Sequence, residues 1–215
     1  MVEDAYITIS KPATGEYKEK GSKFMAFAFP FCDEKEIDVR MADLKTIHPK
    51  ARHYCYAYKL GMDNNRFRVN DDNEPSGTAG KPIYGQILSH GLTNIIIIVI
   101  RYFGGTKLGV SGLKHAYKEA ARQALDSAIT VEKFLTKTYT LRFQYDHMGQ
   151  ILNALKELNI DIQDKSFEVY CMVVIEMRLS VVDSMMLMFK SKVLNKGMDE
   201  IQSNTEIPFC KIIDT

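Results

Sequence analysis

The chain has 215 residues, with 28 basic against 27 acidic side chains, a formal net charge of +1 and 46% hydrophobic residues. This balance supports a true core in one large or two small domains and excludes a general basic coat for nucleic acid, while leaving room for a local basic patch. The longest apolar run, residues 95–100, is far short of a membrane span, and the four cysteines form no C-x-x-C pair; reduced thiols in a cytoplasmic protein are expected, with no membrane partner and no targeting segment at the N-terminus.

Strand character opens at residues 6–10, and the aromatic-rich run KFMAFAFPF at 23–31 reads as a second strand. Ile37, Met41, Leu44 and Ile47 recur at helical spacing after Asp33, a plausible N-cap, and Pro49 ends that helix. Residues 53–60 and 66–70 read as strands around the turn GMDNN. A short helix is expected within 79–90, starting near Pro82 and stopping at Gly91. The unbroken pattern of 95–103 predicts a central strand buried on both faces, followed by a glycine loop and a helix over 111–128.

Composition changes after Thr130, and the boundary is placed within 129–137, giving domains 1–130 and 137–207. Strand, helix, hairpin, helix and a last short strand then follow at 138–145, 146–158, 160–167 with 170–179, 181–194 and 201–205. The order β-α-β-β-α-β is that of a split βαβ sandwich, so the fold class is α+β in two domains.

Two loops carry the chemistry. Residues 71–83 read DDNEPSGTAGKPI, and 101–117 read RYFGGTKLGVSGLKHAY. Glycines free backbone N–H groups to turn toward a ligand, and a helix N-terminus beyond them favours an anion. The second loop is not a Walker A motif, since Val110 and Ser111 follow Gly109, and it is not G-x-G-x-x-G, since Gly104 and Gly105 are adjacent. What remains is either an anion nest or a tight strand-to-helix turn.

Other chemistries are weaker. GVSGL at 109–113 lacks the closing glycine of a nucleophile elbow. Asp71, Asp72 and Glu74 could hold a cation or form a solvated acidic turn, and Pro75 and Ser76 exclude an EF-hand. His53 and Cys55 share one face of a strand, as a metal pair, a dyad or a packed thiol beside a bonded histidine. No catalytic set, metal site or cofactor is expected. The candidate anion- or RNA-binding residues are Ser76, Thr78, Lys81, Arg101, Gly104, Gly105, Lys107 and Gly109, with Lys114, Lys118 and Arg122 extending a positive helix face.

KGSKF at 20–24, ARHYCYAY at 51–58, EPSGTAGKPI at 74–83 and RYFGGTKLG with GL and AY within 101–117 resemble the IMPACT family, in its bacterial YigZ-like branch. Arg52 stands where a small hydroxyl residue is common, and Asn73 and Ser111 where glycine is common. The resemblance implies an N-terminal domain similar to domain IV of elongation factor G and to the second domain of a ribosomal small-subunit protein. It implies a C-terminal ferredoxin-like domain similar to domain V of that factor. Eukaryotic members regulate translation by competing for an activator of a stress kinase, largely through an additional RWD domain, and that mechanism is not carried over. The expected function is a non-enzymatic, RNA- or ribosome-associated protein linked to translation regulation. The alternatives are a protein-interaction regulator and an enzyme on a phosphorylated small molecule.

Overall fold

The computed structural model describes residues 4–63 and 65–215. Two units form: Tyr6–Lys133, and Phe134–Thr215 together with residues 4 and 5. Along the first, the elements are β1 (Ala5–Ile9), β2 (Ala13–Glu19), β3 (Ser22–Pro30), α1 (Glu36–Ile47), β4 (His53–Leu60), β5 (Arg66–Asn70), α2 (Gly80–Ser89), β6 (Ile95–Tyr102), α3 (Gly109–Asp126) and β7 (Thr130–Phe134).

A strand apolar on both faces needs cover on both faces. β6 meets this need at the centre of the antiparallel sheet β2-β3-β6-β4-β5. Ile95, Ile97 and Val99 pack with Ile83, Ile87, Leu113 and Tyr117 from α2 and α3. Ile96, Ile98 and Ile100 pack on the other side with Phe31, Ile37, Leu44 and Tyr56. Each fully buried isoleucine contributes about 1.5–3 kcal/mol relative to exposure. The buried stripe of α3 is rich in alanine (Ala116, Ala120, Ala121, Ala124), which lets the helix lie close to the sheet. A Cβ placed on Gly15 of β2 would come within 2.3 Å of the Ala124 nitrogen.

The second unit runs β8 (Thr136–Phe143), a 3-10 turn, α4 (Met148–Glu157), β9 (Asp161–Phe167), β10 (Cys171–Arg178), α5 (Val182–Leu194), another 3-10 turn and β11 (Cys210–Asp214). Its sheet has the order β11-β8-β10-β9, all antiparallel. Leu141, Phe143, Val173 and Ile175 alternate inward against Ile151, Leu155, Phe189 and Val193. Among the described residues no helix is long and apolar enough to cross a membrane.

Three elements differ from expectation. β2 is polar and lies on the sheet edge, so its alternation carries little hydrophobic signal. β7 falls in the stretch expected to be a linker and pairs with β1 in a two-stranded ribbon. The last strand is β11, not 201–205, where Gln202 and Thr205 close a turn on each other: Thr205 N–H donates to the Gln202 carbonyl at 3.0 Å, and Gln202 N–H to Thr205 Oγ1 at 2.8 Å. α1 begins at Glu36, and Asp33 caps only the entering turn, accepting from Lys35 N–H at 3.0 Å.

Candidate functional site

Strand register brings the motif loops to one end of the first unit's sheet. Arg101, near the end of β6, faces Phe24 on β3 and His53 on β4. The turn before β3, the loop after β6 and the acidic loop after β5 therefore converge. The β2–β3 turn uses Lys20 at φ 44° and Gly21 at φ 78°.

Behind this end lies a buried polar network. Arg101 Nη1 donates to Glu74 Oε1 at 2.7 Å, and both side chains are at most 6% exposed. Tyr117 Oη donates to the same carboxylate oxygen at 2.8 Å, and Cys55 Sγ lies 3.3 Å from Tyr117 Oη. Arg101 Nη2 also reaches Ser22 Oγ at 3.4 Å, and that oxygen accepts from Gly104 N–H at 3.2 Å. The guanidinium sits 5.4 Å from the Phe24 ring centroid and 5.5 Å from that of Phe103, and its Nε is buried without a partner. His53 approaches the cluster with Nε2 at 3.9 Å from Glu74 and Nδ1 at 2.8 Å from the Asp72 carbonyl. Burial pushes both the Cys55 thiol and the Tyr117 phenol far up, beyond any range in which either ionises near neutrality. A thiolate nucleophile is thus not available at Cys55.

The three acidic residues of the loop have separate tasks. Glu74 anchors Arg101. Asp72 accepts from Tyr54 N–H at 2.6 Å. Asp71 accepts from Gly77, Ala79 and Gly80 N–H at 2.7, 2.9 and 2.9 Å, which satisfies the otherwise unpaired amides entering α2. Burial by itself would raise the Asp71 carboxyl, but these donors, with Lys81 nearby, outweigh it and hold the group below the ordinary carboxylate range. Its stabilisation is therefore complete above the unfolded pKa near ~3.9 and is lost as pH falls through the lower folded value. Asp71→Ala is expected to cost about 1–2 kcal/mol, the scale of a lost helix cap. In urea denaturation the gap to wild type should narrow below about pH 4. A gap unchanged down to about pH 2 would contradict this assignment.

The candidate residues divide between interior and surface. Thr78 is fully buried, and its hydroxyl donates to the Pro75 carbonyl at 2.6 Å. Arg101 is interior, as above. Arg122 pairs with Glu119 at 3.0 Å and with Asp126. Ser76, Lys81, Gly104, Gly105, Lys107, Gly109, Lys114 and Lys118 are exposed. Among the described residues none of these four lysines forms an ion pair. Gly105 (φ 87°) and Gly109 (φ 71°) shape the loop, and α3 starts after Leu108 with no side-chain cap. Phe103 is 39% exposed, with the Arg52 guanidinium 5.7 Å from its ring centroid. Ser22 and Tyr117 are parts of this site that sequence reasoning missed. Both lie in the quoted motifs, KGSKF and AY, but nothing in the spacing points to their partners.

Fold and site together define a two-unit α+β protein whose exposed glycine loop is seated on a buried Arg–Glu–Tyr network. Residues 20–125 match the family described as the Impact N-terminal domain. The chain is 33% identical to "IMPACT family member YvyE" of Bacillus subtilis (strain 168), over 71% of this chain and 70% of that one. It is 30% identical to "IMPACT family member YigZ" of Escherichia coli (strain K12), over 78% and 83% of the two chains. A solved structure described as a hypothetical protein superposes with a TM-score of 0.71 at 25% identity, covering 100% of this chain and 98% of that one. A structure described as the two-domain translational regulator Yih1 matches at 28% identity over 57% and 47% of the chains, with a TM-score of only 0.33. The chain belongs to the IMPACT family.

Proposed function

We propose that this chain is a non-enzymatic cytoplasmic binding protein that docks RNA, or a ribosomal surface, on its glycine loop and the adjoining face of α3. The observation that carries this reading is the row of exposed, unpaired cations Lys107, Lys114 and Lys118 beside the uncapped start of α3. Lysines without carboxylate partners, next to free backbone donors, suit a phosphate backbone. Ser76 and Lys81 sit on the neighbouring loop and flank that surface. In this reading Arg101 works from below. It ties Glu74 to Ser22, and Ser22 holds the Gly104 amide.

The link to translation comes from the family resemblance, in which eukaryotic members are translational regulators. The β-α-β-β-α-β order of the second unit supports reading it as a ferredoxin-like domain similar to domain V of elongation factor G.

The test is RNA binding against salt. Replacing Lys107, Lys114 and Lys118 together by Ala should weaken binding and make the slope of log affinity against log salt shallower by about 2, at about 0.7 per phosphate contact on a single strand. An unchanged affinity and slope overturns the proposal. A partner captured equally well after RNase treatment would instead favour a protein-interaction regulator.

A further inference from the structure

The second unit contains a cavity of about 880 Å³, within the range of small-molecule sites. It lies between the ends of β8 and β11 and the segment 203–208. Lys190 of α5 lines it and is only 8% exposed. Its Nζ donates to the Ser203 carbonyl at 2.6 Å. An ammonium has three donors, so two are left without a protein acceptor among the described residues, and no ion pair is made there either. An isolated buried charge is costly unless something neutralises it. Burial draws the pKa of Lys190 down, and the Glu206 carboxylate offsets this in part.

The other walls repeat the theme. Arg142 on β8 and Lys211 on β11 are opposed in register, both are exposed, and neither forms an ion pair among the described residues. The Arg142 guanidinium lies 4.2 Å from the centroid of the Tyr170 ring, which is 42% exposed and also lines the cavity. Three cations thus face one lining carboxylate, Glu206, beside an accessible aromatic face. A small anion with a flat ring matches these walls, the phosphate meeting the cations and the ring stacking on the aromatic face.

We propose that this cavity binds a nucleoside monophosphate, with the phosphate held by Lys190 and Lys211 and the base laid against Tyr170. The site lies wholly in the second unit, so the inference stands or falls separately from the glycine-loop reading.

Titration of the full chain with adenosine 5′-monophosphate, followed by calorimetry, tests it. Saturable binding of one equivalent is expected. Lys190→Met and Arg142→Ala should each weaken it by about tenfold or more, as expected for the loss of a charge-assisted contact. Adenosine, which lacks the phosphate, should not saturate over the same range, and Lys107→Ala should leave binding unchanged. If Lys190→Met fails to fold by circular dichroism, the exposed Arg142 position decides. Tighter competition by a 5′-phosphorylated oligonucleotide would support the same pocket chemistry with a strand end as its source. No saturation by the nucleotide, or equal affinity in the folded variants, overturns the proposal.

Discussion

Glu74→Ala is expected to lower the unfolding free energy by about 3–5 kcal/mol, the scale for removing one member of a buried ion pair. The large value follows from what is left behind. Arg101 is enclosed, and its Nε already lacks a partner. Without Glu74 its guanidinium keeps only the long contact to Ser22 Oγ, and the buried Tyr117 hydroxyl loses its acceptor as well. Urea denaturation measures the loss directly. The double replacement Glu74→Ala with Arg101→Met should recover much of it, because no stranded charge remains. A loss below about 1 kcal/mol would mean the pair behaves like a solvated surface bridge, and the anchoring role assigned to it would fail.

Gly104→Ala should be nearly as disruptive, for a steric reason. A Cβ at this position would lie 1.9 Å from the Gly21 carbonyl carbon and 2.2 Å from the Ser22 nitrogen. Those are backbone atoms, so no rotamer change relieves the overlap, and the loop after β6 must lift away from the β2–β3 turn. Overpacking of this kind costs about 1–3 kcal/mol. The movement also breaks the Gly104 N–H bond to Ser22 Oγ, so RNA affinity should fall with stability if the glycine loop is the docking surface. Gly105→Ala is the informative comparison. Its surroundings are open, but φ is 87°, and the left-handed backbone alone costs about 1–2 kcal/mol. Thermal melts of the two variants separate clash from strain. A Gly104→Ala protein as stable as wild type would show that the two turns do not press together.

Much of the architecture was legible because it rests on local pattern. The run IIIIVI allows little besides a strand covered on both faces, and β6 is that strand. β4 and β5 lie where the turn GMDNN separates them. The quoted motif loops do meet at one end of a sheet. What could not be read was the division of labour inside them. Glu74 and Arg101 are 27 residues apart, and Tyr117 and Glu74 are 43 apart. No periodicity links such positions. Thr78, one hydroxyl in a loop of polar residues, carries no mark that it turns inward to Pro75. Arg122 extends the basic face in sequence, yet Glu119 and Asp126, three and four positions away on the same helix, claim it.

The amino-acid order alone determined the two-part α+β layout, the buried central strand, the glycine turn into α3 and the absence of known nucleotide-hydrolysis motifs, since each of these depends on neighbours along the chain. Only the tertiary structure decided that Arg101 is an internal strut, that the α2 amides are capped by Asp71, and that Lys107, Lys114 and Lys118 stay free of carboxylates at the surface. Whether a charge is neutralised depends on which distant groups the fold brings within a few ångströms of it. One-dimensional spacing does not hold that distance.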